Sequence, residues 1–100
     1  MVSEWQKHRE DGPAIEYANG DNEWYLNGKL HREDGPAIEG ADGSNEWWLN
    51  GKKHREDGPA IEHANGYKAW YLNSEFITYD PLVFLIKLHE FRLTSSLIPV

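Results

Sequence analysis

His8, His31 and His54 each stand two residues ahead of a glutamate and three ahead of an aspartate, as in His31, Glu33 and Asp34. Imidazole and carboxylate together can ligate zinc or act as base and acid. The context of these residues makes such a site hard to build. Lys7-His8-Arg9-Glu10-Asp11-Gly12-Pro13-Ala14-Ile15-Glu16 returns almost letter for letter over 30–39 and 53–62, at a period of 23 residues. If each copy adds two strands, equivalent histidines lie about 10 Å apart, twice the interstrand spacing. Histidine nitrogens bind a metal at about 2 Å, so no ion can be shared between copies. A site would have to form within one copy and would then occur three times, whereas enzymes separate acid from base by unlike surroundings. The simpler assignment places Asp11, Asp34 and Asp57 in Asx-type turns and pairs Arg9, Arg32 and Arg55 with carboxylates of adjacent copies. His63 holds a variable position shared with Tyr17 and Gly40 and is expected at the surface. No catalytic residue, metal or cofactor is assigned.

A fixed period of this length marks a small unit that cannot bury its own apolar face and stacks on its neighbours. In one copy, Asn22-Glu23-Trp24-Tyr25-Leu26 is rich in strand formers and runs straight into Asn27-Gly28. An Asn-Gly pair tolerates positive φ at both central positions of a tight hairpin. Lys29-Leu30-His31-Arg32 is the expected returning strand. Asp34-Gly35-Pro36 should break it, because Pro36 has no N–H and Gly35 permits an unusual backbone angle. Ala37-Ile38-Glu39 reads as a short extended piece and Asp42-Gly43 as the turn into the next copy.

Side chains alternate along a strand, so Trp24 and Leu26 share one face and Glu23, Tyr25 and Asn27 the other. The first face is the expected core: Trp24, Trp47 and Trp70 with Leu26, Leu49 and Leu72 and with Ile15, Ile38 and Ile61. The second carries Tyr25, Trp48 and Tyr71 beside Glu23 and Glu46. Those five are the candidate partner-binding residues, with plain packing against a thin sheet as the competing explanation.

At 100 residues the chain fits one domain. It has no cysteine, hence no disulfide framework and no thiolate metal site, as a reducing compartment would allow. The start, Met1 to Trp5, lacks the basic and apolar regions of a signal peptide, and the longest apolar run, Pro81–Ile86, ends at Lys87. A cytoplasmic location is expected. The net charge of −7 disfavours direct binding of nucleic acid or anionic membrane, which clustered Lys and Arg perform. It leaves room for a basic protein partner.

The pattern Trp/Tyr-x-x-Asn-Gly-Lys-x-His, followed by two glycine turns, resembles the MORN repeat over roughly residues 5–73. Asn27–His31 and Asn50–His54 are its closest parts. Arg-Glu-Asp-Gly-Pro departs from it, since MORN repeats place glycines directly after the His, and similar His-Arg-Glu-Asp-Gly-Pro-Ala repeats recur in bacteriophage proteins. The resemblance implies a β-hairpin solenoid that serves interaction or assembly. It extends to a phage-encoded inhibitor acting in the host cytoplasm on a defence protein, one that itself binds nucleic acid, as anti-CRISPR proteins do.

The last copy keeps Trp70-Tyr71-Leu72-Asn73, then reads Ser74-Glu75-Phe76-Ile77 where Gly-Lys-x-His should stand. Solenoid ends need atypical caps. Asp80-Pro81 is a good helix start, and from Leu82 to Leu93 the polar Lys87, Glu90 and Thr94 form one narrow stripe. Such a helix needs more than one apolar contact surface. One side would cap the array and the other would meet a second copy, making a homodimer through 76–100 to which the apolar ending Leu97-Ile98-Pro99-Val100 would contribute. Strands over Phe76–Tyr79 and part of Leu82–Leu93 are the alternative. Trp5 is expected to plug the opposite end.

Taken together, these features predict a mainly β chain: a short solenoid of stacked hairpins over 1–73 and a helical, apolar cap over 74–100. The expected activity is non-enzymatic protein binding. A metal-dependent His/carboxylate enzyme and a purely structural assembly unit are the alternatives.

Overall fold

The computed structural model describes residues 8–97. Its elements are β1 (Ile15–Glu16), β2 (Asn22–Glu23), β3 (Tyr25–Leu26), β4 (Lys29–Leu30), β5 (Ile38–Glu39), β6 (Asn45–Glu46), β7 (Trp48–Leu49), β8 (Lys52–Lys53), β9 (Ile61–Glu62), β10 (Lys68–Leu72), β11 (Glu75–Thr78) and α1 (Pro81–Leu97). The chain is mainly β, with its one described helix at the C-terminal side. An antiparallel sheet runs β1-β2-β5-β6-β9-β10-β11, and β3-β4 and β7-β8 form separate two-stranded hairpins. The molecule is a slab of 40 × 39 × 17 Å.

Local chemistry sets this pattern. Asn27 and Gly28 have φ of 52° and 78°, Asn50 and Gly51 of 50° and 78°. Both central positions are left-handed, the geometry whose twist matches that of the flanking strands. Trp24 separates β2 from β3 because its backbone changes partners there. Its N–H donates to Ala37 O at 2.7 Å while its carbonyl accepts from His31 N at 3.1 Å, and Trp47 repeats both bonds with Ala60 and His54. One strand of each copy therefore serves two ladders.

The hairpin pattern runs further than the change at Ser74 suggested. Asn73 and Ser74 take φ of 49° and 68°, and β10 continues through this turn into β11. The expected boundary at residue 73 falls inside that hairpin. Beyond it α1 is helical throughout, not stranded. Asp80 caps it, its Oδ1 accepting from Leu82 N at 2.9 Å, with Pro81 at the first position.

Of the expected core only Trp70, Leu72 and the adjoining Ile61 are buried. Trp70, Leu72, Phe84 and Leu88 form the buried cluster, flanked by Ile77 and Phe91. Trp24, Trp47, Leu26, Leu49, Ile15 and Ile38 are only half-buried. A single sheet has no second layer of its own, and the inner face of α1 packs on Trp70 and Leu72 of the last copy. Trp5 and Ile98 to Val100 lie outside the described residues.

Candidate protein interface

The residues singled out on the second face form two aromatic–carboxylate pairs, and the carboxylates are not displayed as free charges. Tyr25 Oη donates to Glu23 Oε1 at 2.9 Å and Trp48 Nε1 to Glu46 Oε1 at 3.0 Å. Each strand thus ties its own glutamate to the aromatic two residues on. Burial, then the hydrogen bond to Glu23, pushes the Tyr25 phenol up to about 12. The Tyr17 phenol is raised as well, by burial and then by the Glu23 charge, which places it at the same carboxylate.

Tyr71 differs because Ala69 stands where the other copies have glutamate. Its ring takes Lys53 Nζ at 4.6 Å on one side, and the same ammonium lies 5.7 Å from the Trp48 ring, bridging two copies. On its other side Tyr71 meets Phe76 edge-on at 5.6 Å. From there rings continue without a gap: Phe76 to Tyr79 at 4.7 Å, Tyr79 to Tyr67 at 5.7 Å, Tyr67 to His63 at 5.0 Å. Phe76, Tyr79 and Tyr67 are 43%, 61% and 40% exposed. This outer half of the strip was not among the sequence-predicted residues. Its signal was the turn: a two-residue hairpin at Asn73-Ser74 places Phe76 directly opposite Tyr71.

The histidines serve a different purpose from the one their neighbours suggest. His8, His31 and His54 Nδ1 accept from the backbone N–H of Asn27, Asn50 and Asn73 at 2.9, 2.9 and 3.0 Å. Each imidazole thereby fastens one copy to the hairpin turn of the next. Arg9, Arg32 and Arg55 reinforce the joint, their N–H groups donating to Tyr25, Trp48 and Tyr71 carbonyls. The expected partners of these arginines are corrected. Arg32 Nε donates to Asp34 at 2.9 Å and its Nη1 to Glu39 at 3.1 Å, both within its own copy. Its Nη1 also donates to Pro36 O at 3.1 Å. The Asp34 carboxylate is therefore an ion-pair acceptor, while Asx-type turns form at Asn19, Asp42 and Asn65. His31 and Asp34 are thus held apart in separate bonds, and among the described residues no three His, Asp and Glu side chains converge as a metal would require.

On the first face, Arg32 lies 3.9 Å over the Trp24 ring and Arg55 lies 3.7 Å over Trp47. Beside them run two open grooves, of about 740 Å³ on Trp24 and Leu26 and about 620 Å³ on Trp47 and Leu49. In the third copy Phe84 of α1 packs against Trp70 at 6.1 Å instead.

Comparison with family models, curated proteins and solved structures returns no match. Among the described residues no helix is long and apolar enough to cross a membrane.

Proposed function

We propose that the chain is a non-enzymatic protein-binding module, a short MORN-like solenoid of stacked hairpins with a 23-residue period. The observation that carries this is the run of rings from Tyr71 through Phe76 and Tyr79 to Tyr67, joined to Trp48 by the Lys53 ammonium. Rigid aromatics rimmed by polar groups supply contact area at low entropic cost, which is why they dominate protein interfaces. Bonds between copies hold the strip in place, so little ordering is needed on binding. Tyr25, Trp48, Tyr71, Glu23 and Glu46 form its inner part, Phe76, Tyr79 and Tyr67 its exposed end.

The partner is a protein with a basic surface, matched to the net charge of −7. The likeness of the His-Arg-Glu-Asp-Gly-Pro-Ala copies to phage proteins extends this to a phage-encoded inhibitor that covers the nucleic-acid-binding surface of a host defence protein. Affinity capture from bacterial lysate tests the module. Replacing Tyr67, Phe76 and Tyr79 by Ser should remove a basic protein retained by the unmodified chain, with an unchanged circular dichroism spectrum. Equal retention by both would show that the strip is not the binding surface.

A further inference from the structure

Helix α1 carries two apolar stripes where a capping helix needs one. Phe84, Leu88 and Phe91 face Trp70 and Leu72 and complete the buried cluster. Leu82, Ile86, His89 and Leu93 follow each other at steps of four, three and four residues, the spacing of a helix-pairing seam. At about 100° per residue this second stripe is centred on the side of the helix opposite the first. Leu82 is 71% exposed, Ile86 63% and Leu93 51%, with Leu85 beside them at 61%. So concentrated a display on one element marks an interaction surface rather than the scattered leucines of an ordinary exterior.

We propose that this seam is the contact between two copies of the chain, paired antiparallel about a two-fold axis. The inference goes beyond the aromatic strip and does not depend on it. The stripe reads the same from both ends: its midpoint lies between residues 87 and 88, so a two-fold axis there sets Leu82 against the partner's Leu93 and Ile86 against the partner's His89. An isologous interface demands that self-complementarity. The flank agrees. Lys87 and Glu90 lie on one side of the seam, with Nζ and Oε2 3.7 Å apart. Antiparallel pairing brings that side against its own copy, where Lys87 meets the partner's Glu90. Covering the stripe and its neighbours on both copies removes on the order of 1,000 Å² from water, enough for a specific contact. The product is a four-layered body, sheet, helix, helix, sheet, with both aromatic strips left outside.

Sedimentation equilibrium of the full chain should give twice the protomer mass of 11.6 kDa at micromolar concentration. Ile86→Glu should lower the association constant at least a hundredfold with an unchanged circular dichroism spectrum, since residue 86 is exposed in the protomer. Because the chain has no cysteine, L82C/L93C gives an independent reading. The two positions are roughly 16 Å apart along one helix, beyond disulfide reach, so oxidation should yield a covalent dimer bridged between residues 82 and 93, whereas L93C alone should cross-link poorly. A monomer at tens of micromolar, a dimer indifferent to Ile86→Glu, or efficient bridging by L93C alone would each overturn the antiparallel seam.

Discussion

The arginine of each copy ties together chemistry that looks unrelated in the sequence. Arg55 is stacked on Trp47 at 3.7 Å, paired with Asp57 at 2.9 Å and bonded to Pro59 O at 3.1 Å. Gly58 completes the arrangement. A Cβ there would sit 2.7 Å from Arg55 Cζ, and the backbone lies outside the left-handed region. The reason for glycine is therefore space, not the unusual backbone angle that its place before proline suggests. The period itself and the residue types at each position were readable from the chain. This three-body contact was not, because it exists only once Trp47 has been brought under the loop. Gly58→Ala should destabilise by about 1–2 kcal/mol by overpacking, measured by urea unfolding. In an Arg55→Ala background the same change should turn neutral or favourable, as Gly→Ala normally is at a compatible backbone position. A gain in the unmodified chain would show that the guanidinium simply moves aside.

Hairpins were the most legible elements, since Asn-Gly states its own turn geometry. The third stood only as the alternative strand over Phe76–Tyr79, because Ser74 replaces glycine. Its φ of 68° is strained for a residue with a Cβ, and the strain is offset by bonds. Ser74 N donates to Lys53 O at 2.8 Å, as Gly51 N does to Leu30 O, and Ser74 Oγ also accepts from Lys53 N at 3.2 Å. The hydroxyl supplies an extra tie between copies in place of conformational ease. Ser74→Ala keeps the strain and loses that tie, so it should cost about 1 kcal/mol. Ser74→Gly loses the tie but relieves the strain and should stay close to the parent in thermal unfolding. If Ala and Gly behave alike, backbone conformation at this turn contributes nothing measurable. The helix was readable from Asp80-Pro81. Which copy it covers was not: its inner face packs on Trp70 and Leu72, so two copies keep half-exposed tryptophans.

In the molecule as a whole, the cap and the repeats meet at a polar point as well as an apolar one. Glu56 accepts from His54 Nε2 at 3.2 Å and from Arg92 of α1 at 3.1 Å. His54 can donate there because its Nδ1 is already taken by Asn73 N–H, which fixes the tautomer. Phe91 packs against the same imidazole at 6.0 Å. One histidine thus joins the second copy, the third hairpin and the helix, and of its three partners only Glu56 is near it in sequence. The Glu56 carboxyl is held below the usual carboxylate range, chiefly by the His54 hydrogen bond and then by Arg92. A carboxyl whose folded value is depressed stabilises the fold above its unfolded value, about 4.3, and that contribution disappears as pH falls through the folded value. The stability difference between the unmodified chain and Glu56→Gln should therefore be present at about pH 5 and shrink as the solution becomes more acid. Urea unfolding midpoints across that range measure it. A difference that persists unchanged at pH 2.5 would mean that Glu56 acts through its shape and not its charge, and that α1 is held on the array by Phe84, Leu88 and Phe91 alone.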